Sequence, residues 1–215
     1  MQAVCFDFDG TLVDSEVFHA GNWSQYFARY GVEVSPADFL KEFAGVPWEK
    51  VAAAFHEAHG LAHCPTITVR DMEALTFDAL VAGLMPVRPG AEDMIKQLHG
   101  SLPLAVVTGA PRHYVEGILG KLGWLAYFDH IVCGEDVISN KPSPDIYLLA
   151  CERLGLPTDK VVAIEDSETG AQSAHSAGLR LVVVNDLHSV GVGKTNYRYP
   201  TLTHASQHQS DWLVA

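Results

Sequence analysis

Basic residues are scarce in this chain. Lys and Arg number 14 against 26 Asp and Glu, a formal net charge of −12 at pH 7. That balance excludes general nucleic-acid binding, which needs a basic footprint, and offers an anionic membrane nothing to attract. Cysteine is also thin: Cys5, Cys64, Cys133 and Cys151 are scattered, with no Cys-x-x-Cys pair. Cys5 and Cys133 lie in apolar runs, so reduced, buried cysteines in a cytoplasmic protein are expected. No apolar stretch approaches the roughly 18 residues of a spanning helix. Asp7 and Asp9 interrupt the apolar run near the N-terminus, so no signal peptide is expected. Internal repeats and low-complexity segments are absent as well.

Apolar residues, by contrast, make up 48% of the 215 positions. That is enough for a proper core, in one domain or in one domain carrying a smaller insert. Residues 15–84 read as helices without a convincing strand. Trp23, Tyr26, Phe27 and Tyr30 recur at helical steps, Ser35-Pro36 opens a helix, and residues 48–59 and 69–83 carry two more. The Pro-Val-Arg-Pro-Gly run at 86–90 is rigid punctuation and a hinge. Beyond it the signals alternate: helix 91–99, strand 104–107, helix 114–122, strand 131–133, helix 144–154, strand 161–164, helix 170–177, strand 181–184. Such alternation predicts right-handed crossovers and a parallel sheet covered on both faces. The expected architecture is therefore α/β, a Rossmann-like parallel core (residues 1–14 and 86–215) with an inserted all-helical cap (residues 15–85). In the tail, residues 189–200 read as a polar surface loop, Thr201-Leu202 as an edge strand and 206–213 as a short helix.

The stretch AVCFDFDGTLVDSE at 3–16 organises the rest. An apolar strand ends in Asp7, Phe8, Asp9 and Gly10, and residues two apart in a strand point the same way. Two carboxylates held so close repel unless a proton or a cation lies between them. A calcium loop would need a bidentate Glu at its twelfth position, which here is Phe18. Two further apolar runs end in polar residues, Thr108 with Gly109 and Glu165 with Asp166, and Lys141 lies between them in sequence. Taken singly, Thr108 is an ordinary strand end, Lys141 a surface lysine before a proline-started helix, and Asp166-Ser167 a helix cap. Taken together, the features fall in one order along one edge of one expected sheet, where open parallel sheets bind ligands.

That order resembles the haloacid dehalogenase-like hydrolases, in the branch with a helical cap inserted after the first motif. The resemblance rests on Asp7-x-Asp9-Gly-Thr, Thr108, the Lys141-Pro-x-Pro-Asp-x-Tyr147 stretch and Glu165-Asp-Ser-x-x-Gly170, and spans residues 4 to about 186. It implies a phosphatase acting on a small phosphorylated metabolite, a sugar phosphate or related monoester, through an aspartyl phosphate. Asp7 would be the nucleophile, and Asp9 would protonate the leaving oxygen and then deprotonate water. Mg2+ would be held by Asp7, Asp166 and the Asp9 carbonyl, with Glu165 adjacent. Lys141, the Thr108 hydroxyl and the amides near Phe8 and Gly109 would hold the phosphoryl oxygens. An acid at Asp9 argues against dehalogenation, where a halide needs no proton. A non-catalytic binding module on the same fold would be signalled by loss of Asp7 or Asp9, and both are present. No nucleic-acid or membrane partner is implied, and a monomer is expected.

By the same resemblance the cap closes over the phosphate, with Ser15 and His19 at its entrance and residues 44–48 as a specificity loop. Beta-phosphoglucomutases carry an arginine where this chain has Trp48, which favours a plain phosphatase over a phosphosugar mutase. Trp48 as the first buried residue of its helix, and His19 as a hinge residue packed on Trp23, are the alternative readings. Two other motifs carry less. His56-Glu-Ala-His59, with His63 and Cys64 nearby, falls one residue short of the His-Glu-x-x-His zinc motif and reads as helix surface. Gly191-x-Gly-Lys194-Thr195 mimics the end of a phosphate-binding loop but lacks its first glycine and a following helix.

Overall fold

The structure is a computed structural model of the chain and describes residues 1–43, 46–185 and 190–214. By its contacts it divides into two compact units, Met1–Val13 with Val87–Ala215, and Asp14–Pro86. Among the described residues no helix is long and apolar enough to cross a membrane.

The first unit is built on a wholly parallel sheet of β1 (Ala3–Phe6), β2 (Leu104–Val107), β3 (His130–Val132), β4 (Val161–Glu165), β5 (Arg180–Val184) and β6 (Tyr197–Tyr199). The strand order is β3-β2-β1-β4-β5-β6, a Rossmann-like α/β arrangement. Every residue of β1, β2 and β4 is buried. Their unbroken apolar runs are what a strand covered on both faces requires. The chain leaves β1 for β2 and β3 on one flank, then crosses back to β4 on the other. The reversal places a crevice at the carboxyl end of β1. Register fixes what meets there: Phe6 pairs with Val106 on one side and with Ile164 on the other. The residue one step on, Asp7, donates its N–H to the Ile164 carbonyl at 2.9 Å and so lies level with Glu165.

The second unit holds α1 (Ser15–Ala28), α2 (Pro36–Phe43), α3 (Trp48–His59) and α4 (Pro65–Val81). Its core is aromatic. Trp23 stacks on Phe27 and Phe39 at 5.3 and 5.9 Å, and Phe27 stacks on Phe55 at 3.8 Å. Each such side chain contributes about 2–3 kcal/mol of transfer free energy when fully buried. Of the aromatics at helical steps, Trp23, Tyr26 and Phe27 are buried, whereas Tyr30 lies beyond the end of α1 and is exposed. The last helix starts at Pro65 rather than 69, because proline suits the first helical position, where no N–H bond is lost.

Chain passages into and out of this insert are paired. Asp14 N–H donates to the Pro86 carbonyl at 2.8 Å, and Val13 and Val87 form an antiparallel bridge. Back in the first unit, α5 (Ala91–Leu98), α6 (Arg112–Leu122), α7 (Asp145–Leu154) and α8 (Glu168–Ser176) join the strands. The tail differs from expectation. The segment expected to be loop contains β6, an edge strand at 197–199. Thr201 instead caps α9 (Leu202–Gln207), its hydroxyl accepting from His204 N–H, and a separate α10 (Gln209–Leu213) follows. A three-residue strand with two tyrosines and an arginine has too few residues to show a period, which hid it. Residue 189 of the expected loop lies outside the described residues. The glycine-rich turn is pinned rather than open: Gly191 N–H donates to Glu168 Oε2 at 2.7 Å, and Lys194 pairs with the same carboxylate. Lys194 is thus committed to Glu168, which disposes of the phosphate-loop reading.

Candidate active site

At the carboxyl end of β1 one ammonium group bridges two carboxylates. Lys141 Nζ lies 2.5 Å from Asp7 Oδ1 and 2.7 Å from Glu165 Oε1, and it donates to the Val107 carbonyl at 2.9 Å. Three strands, β1, β2 and β4, thereby converge on one side chain from the loop before α7. Beneath it the Tyr147 hydroxyl, from the first turn of α7, donates to Glu165 Oε1 at 2.6 Å, and its ring lies 5.3 Å under the Lys141 ammonium. Glu165 and Tyr147 are completely buried. Burial works against the lysine's charge, but Asp7 and Glu165 outweigh it and hold the ammonium protonated far above its ordinary range. The Asp7 carboxyl is pushed well above the carboxylate range, by burial and then by the charge of Glu165, with Lys141 pulling the other way.

Asp166 completes the acidic wall. The Thr11 hydroxyl donates to its Oδ1 at 3.2 Å, and Asn185 Nδ2, at the end of β5, donates to its backbone carbonyl at 2.5 Å. Ser167, not Asp166, caps α8: its Oγ accepts from Gly170 N–H at 3.1 Å, which leaves the Asp166 side chain to the site. Burial first, then Glu165, raises the Asp166 carboxyl from its ordinary 3.8 to about 7. Ligand oxygens of Asp7, Glu165 and Asp166 all lie within 4.8 Å of one another. Two buried carboxylates bound to one lysine, with the partly buried Asp166 beside them, carry surplus negative charge, and their donors are all hard oxygens. That set fits a small divalent cation such as Mg2+. The glycines here are dictated by the same crowding. Gly10 has φ +84°, and a side chain on it would collide with the Asp166 carboxylate, while one on Gly170 would overlap the Glu165 carboxylate.

Asp9 sits just past the strand, half-buried, in a turn closed by Gly10 N–H donating to the Val13 carbonyl at 2.7 Å. Phe8, between the two aspartates, is fully buried. Thr108 ends β2, and its oxygen accepts from Ala110 N–H at 3.0 Å, which leaves its hydroxyl hydrogen to donate. Gly109 meets Asn140, whose Nδ2 lies 3.5 Å from the Gly109 carbonyl and which precedes Lys141. Thr11, Asn140, Tyr147 and Asn185 were not singled out by sequence. Thr11 follows Asp-x-Asp-Gly directly, and Tyr147 ends the lysine motif, so both lay in view.

The model of one family, described as haloacid dehalogenase-like hydrolase, matches residues 1–178. The chain belongs to that family. Among similar proteins, the fructose-1-phosphate phosphatase YqaB of Escherichia coli is 31% identical over 83% of this chain and 94% of its own. The 6-phosphogluconate phosphatase of the same organism is 29% identical over 99% of this chain and 95% of its own. A solved structure of a hydrolase of the same family from Deinococcus radiodurans, with bound phosphate and sodium, superposes with a TM-score of 0.81. It is 25% identical and covers 98% of this chain and 94% of its own.

The other residues marked out in this haloacid dehalogenase-like hydrolase belong to the helical unit. Ser15 is buried at the start of α1. The His19 ring meets Trp48 at 5.2 Å and Phe18 at 5.4 Å, and it lines one cavity with Trp23. Its Nδ1 has no partner among the described residues, and burial pulls its pKa down to about 4, so it is neutral at pH 7. Trp48 is half-buried at the first position of α3, edge-on to Trp23 at 5.9 Å. Residues 44 and 45 of the specificity loop lie outside the described residues. His56 and His59 do not act as a pair. His59 is exposed and stacks on Phe55, whereas His56 Nε2 and His63 Nε2 both bond Thr68 Oγ1, at 2.9 and 2.8 Å. Cys64 is exposed, contrary to the expectation of buried cysteines, because it precedes α4 on the surface. The other three are buried and all four are free.

Proposed function

We propose that the chain is a Mg2+-dependent phosphatase that hydrolyses a small phosphorylated metabolite, a sugar phosphate or related monoester, through an aspartyl phosphate. The observation that carries this is the convergence of Asp7, Lys141, Glu165 and Asp166 at the carboxyl end of β1. The sugar-phosphate phosphatases among its relatives support the substrate class.

A Mg2+ held by Asp7, Asp166 and the Asp9 carbonyl, with Glu165 beside it, would supply the charge that lets a carboxylate approach a phosphate dianion. Asp7 attacks phosphorus, and the bond to the ester oxygen breaks as the Asp9 carboxyl hands that oxygen its proton. Water then attacks the aspartyl phosphate and gives a proton back to Asp9, releasing phosphate and the Asp7 carboxylate. Lys141, fixed by Glu165 and the Val107 carbonyl, neutralises phosphoryl charge without having to be reorganised. The Thr108 hydroxyl hydrogen, with the amides near Phe8 and Gly109, supplies further donors. The test is phosphate release from a panel of small phosphorylated metabolites with and without Mg2+. Release from sugar phosphates that requires the metal is expected, and an inert protein across the panel would overturn the reading.

A further inference from the structure

One buried group beside this site has no task in the steps above. Tyr114 stands in the first turn of α6, directly after the Thr108-Gly109 loop. Its ring meets Phe8 edge-on, with centroids 6.3 Å apart and planes at 85°. Phe8 is the residue between Asp7 and Asp9. The Tyr114 hydroxyl is sealed from solvent and has no hydrogen-bond partner among the described residues. A buried hydroxyl left without a partner lowers stability, so a packing role alone would be served better by phenylalanine. Burial, and after it the charge of the Asp9 carboxylate, push the hydroxyl's pKa far up. The group therefore keeps its hydrogen, and the residue its ring packs on, Phe8, is the immediate neighbour of Asp9 in the chain.

We infer that Tyr114 is a positioning residue for Asp9. Its hydroxyl donates to the Asp9 carboxyl group when that side chain turns to the reacting ester, and so fixes the orientation from which Asp9 transfers its proton. The inference rests on the proposed phosphatase reading. Fixing Asp9 matters in proportion to how much the leaving oxygen needs a proton. An alkyl alkoxide needs one as its bond to phosphorus breaks, and a nitrophenolate hardly does. Tyr114→Phe removes the donor and keeps the ring on Phe8.

The experiment compares kcat/KM for an alkyl phosphate and for 2,4-dinitrophenyl phosphate, in wild type, Tyr114→Phe, Asp9→Asn and the double variant. Tyr114→Phe is expected to lose about tenfold on the alkyl ester, a fraction of the roughly 10²–10⁴ that general acid–base catalysis supplies, and several-fold less on the activated ester. Adding Tyr114→Phe to Asp9→Asn should bring no further loss on either ester. Its melting temperature should be no lower than wild type, since an orphaned hydroxyl has been removed. Equal losses on both esters, or an undiminished loss in the Asp9→Asn background, would mark a structural residue and overturn the inference, as would no loss at all. A wild type active on both esters with any of those outcomes removes this inference alone. A wild type inert on both removes the phosphatase reading and this inference with it.

Discussion

Lys141 and Asp7, 134 positions apart in the chain, meet at 2.5 Å with both side chains about nine-tenths buried. The lysine serves Glu165 as well, so the two members of the pair are not equivalent. Asp7→Asn leaves the ammonium one carboxylate partner and the Val107 carbonyl. Lys141→Met leaves two buried carboxylates without their cation. In urea unfolding with chelator present, Lys141→Met is expected to lose about 3–5 kcal/mol, the cost of breaking a buried pair from one side, and Asp7→Asn much less. Both should lose turnover, Asp7→Asn by a thousandfold or more in order of magnitude. Near-wild-type turnover in an Asp7→Asn protein shown by mass to be free of deamidation would count against Asp7 as nucleophile.

Metal dependence and pH are linked at Asp166. Its folded-state pKa is raised from 3.8 to about 7. The folded protein therefore holds a proton there that the unfolded chain gives up above 3.8. That contribution to stability is complete below 3.8 and is lost as pH rises through about 7. Without metal, stability should fall between about pH 4 and 7. Mg2+ competes with that proton, so its stabilising effect should grow over the same range. Thermal melts at several pH values, in EDTA and in Mg2+, check this, and a Mg2+ effect that shrinks toward about pH 7 would contradict it. Activity should vanish in excess EDTA and return with Mg2+, whereas Ca2+, with its looser coordination, should inhibit.

Crowding gives a prediction that needs no metal. Gly170, in the first turn of α8, has ordinary helical backbone, yet a side chain there would overlap the Glu165 carboxylate. Alanine at an exposed helical position would stabilise. Here Gly170→Ala must push aside a carboxylate bound to Lys141 and Tyr147, and should cost about 1–3 kcal/mol, as overpacking does. Urea unfolding measures the sign. A stabilised variant would mean that Glu165 is less tightly held than its contacts suggest.

The strands of the core were legible because each is an apolar run closed by a polar residue, and the chemistry lies in those closing residues: Asp7, Thr108, Glu165. The way Lys141 ties them was not legible. It depends on register, Phe6 beside Ile164 and Val106, and register is a long-range property. Tyr147 is visible in sequence as the end of the lysine motif, but its role is not. Only the packing of α7 against β2 and β3 brings its hydroxyl onto Glu165. The pairing of His56 with His63 escaped for the same reason: Thr68, on another helix, brings them together. β6 escaped because three residues are too few to show a period.

Hydrolysis against phosphosugar transfer turns on fixed positive charge in the helical unit. A mutase must hold a bisphosphate in either of two orientations, so a second phosphate needs a cation, and arginine's planar fork of five donors is the group best shaped for it. At the position where the resemblance puts that arginine, Trp48 has one N–H donor and no charge. It lines a cavity of about 180 Å³ within the helical unit together with His19, Trp23, Phe39 and Glu16, and among the described residues no lysine or arginine lines it. His19 stays neutral there. Arg70, on α4, is paired with Asp71 at 3.1 Å, and Lys50 is an exposed residue of α3. A mostly apolar cavity whose ionisable lining is Glu16 and a neutral imidazole suits a hydroxylated or ring-bearing group, not a phosphate. On the proposed phosphatase reading, water would then meet no well-held phosphosugar competing for the aspartyl phosphate. The expected outcome is release of phosphate from monophosphates, with no conversion of beta-glucose 1-phosphate to glucose 6-phosphate. Phosphorus NMR of that sugar with enzyme, Mg2+ and a catalytic amount of the bisphosphate follows both products. Free phosphate as the new signal supports hydrolysis, and glucose 6-phosphate accumulating ahead of it would mean that a cation outside this cavity does the work of the missing arginine.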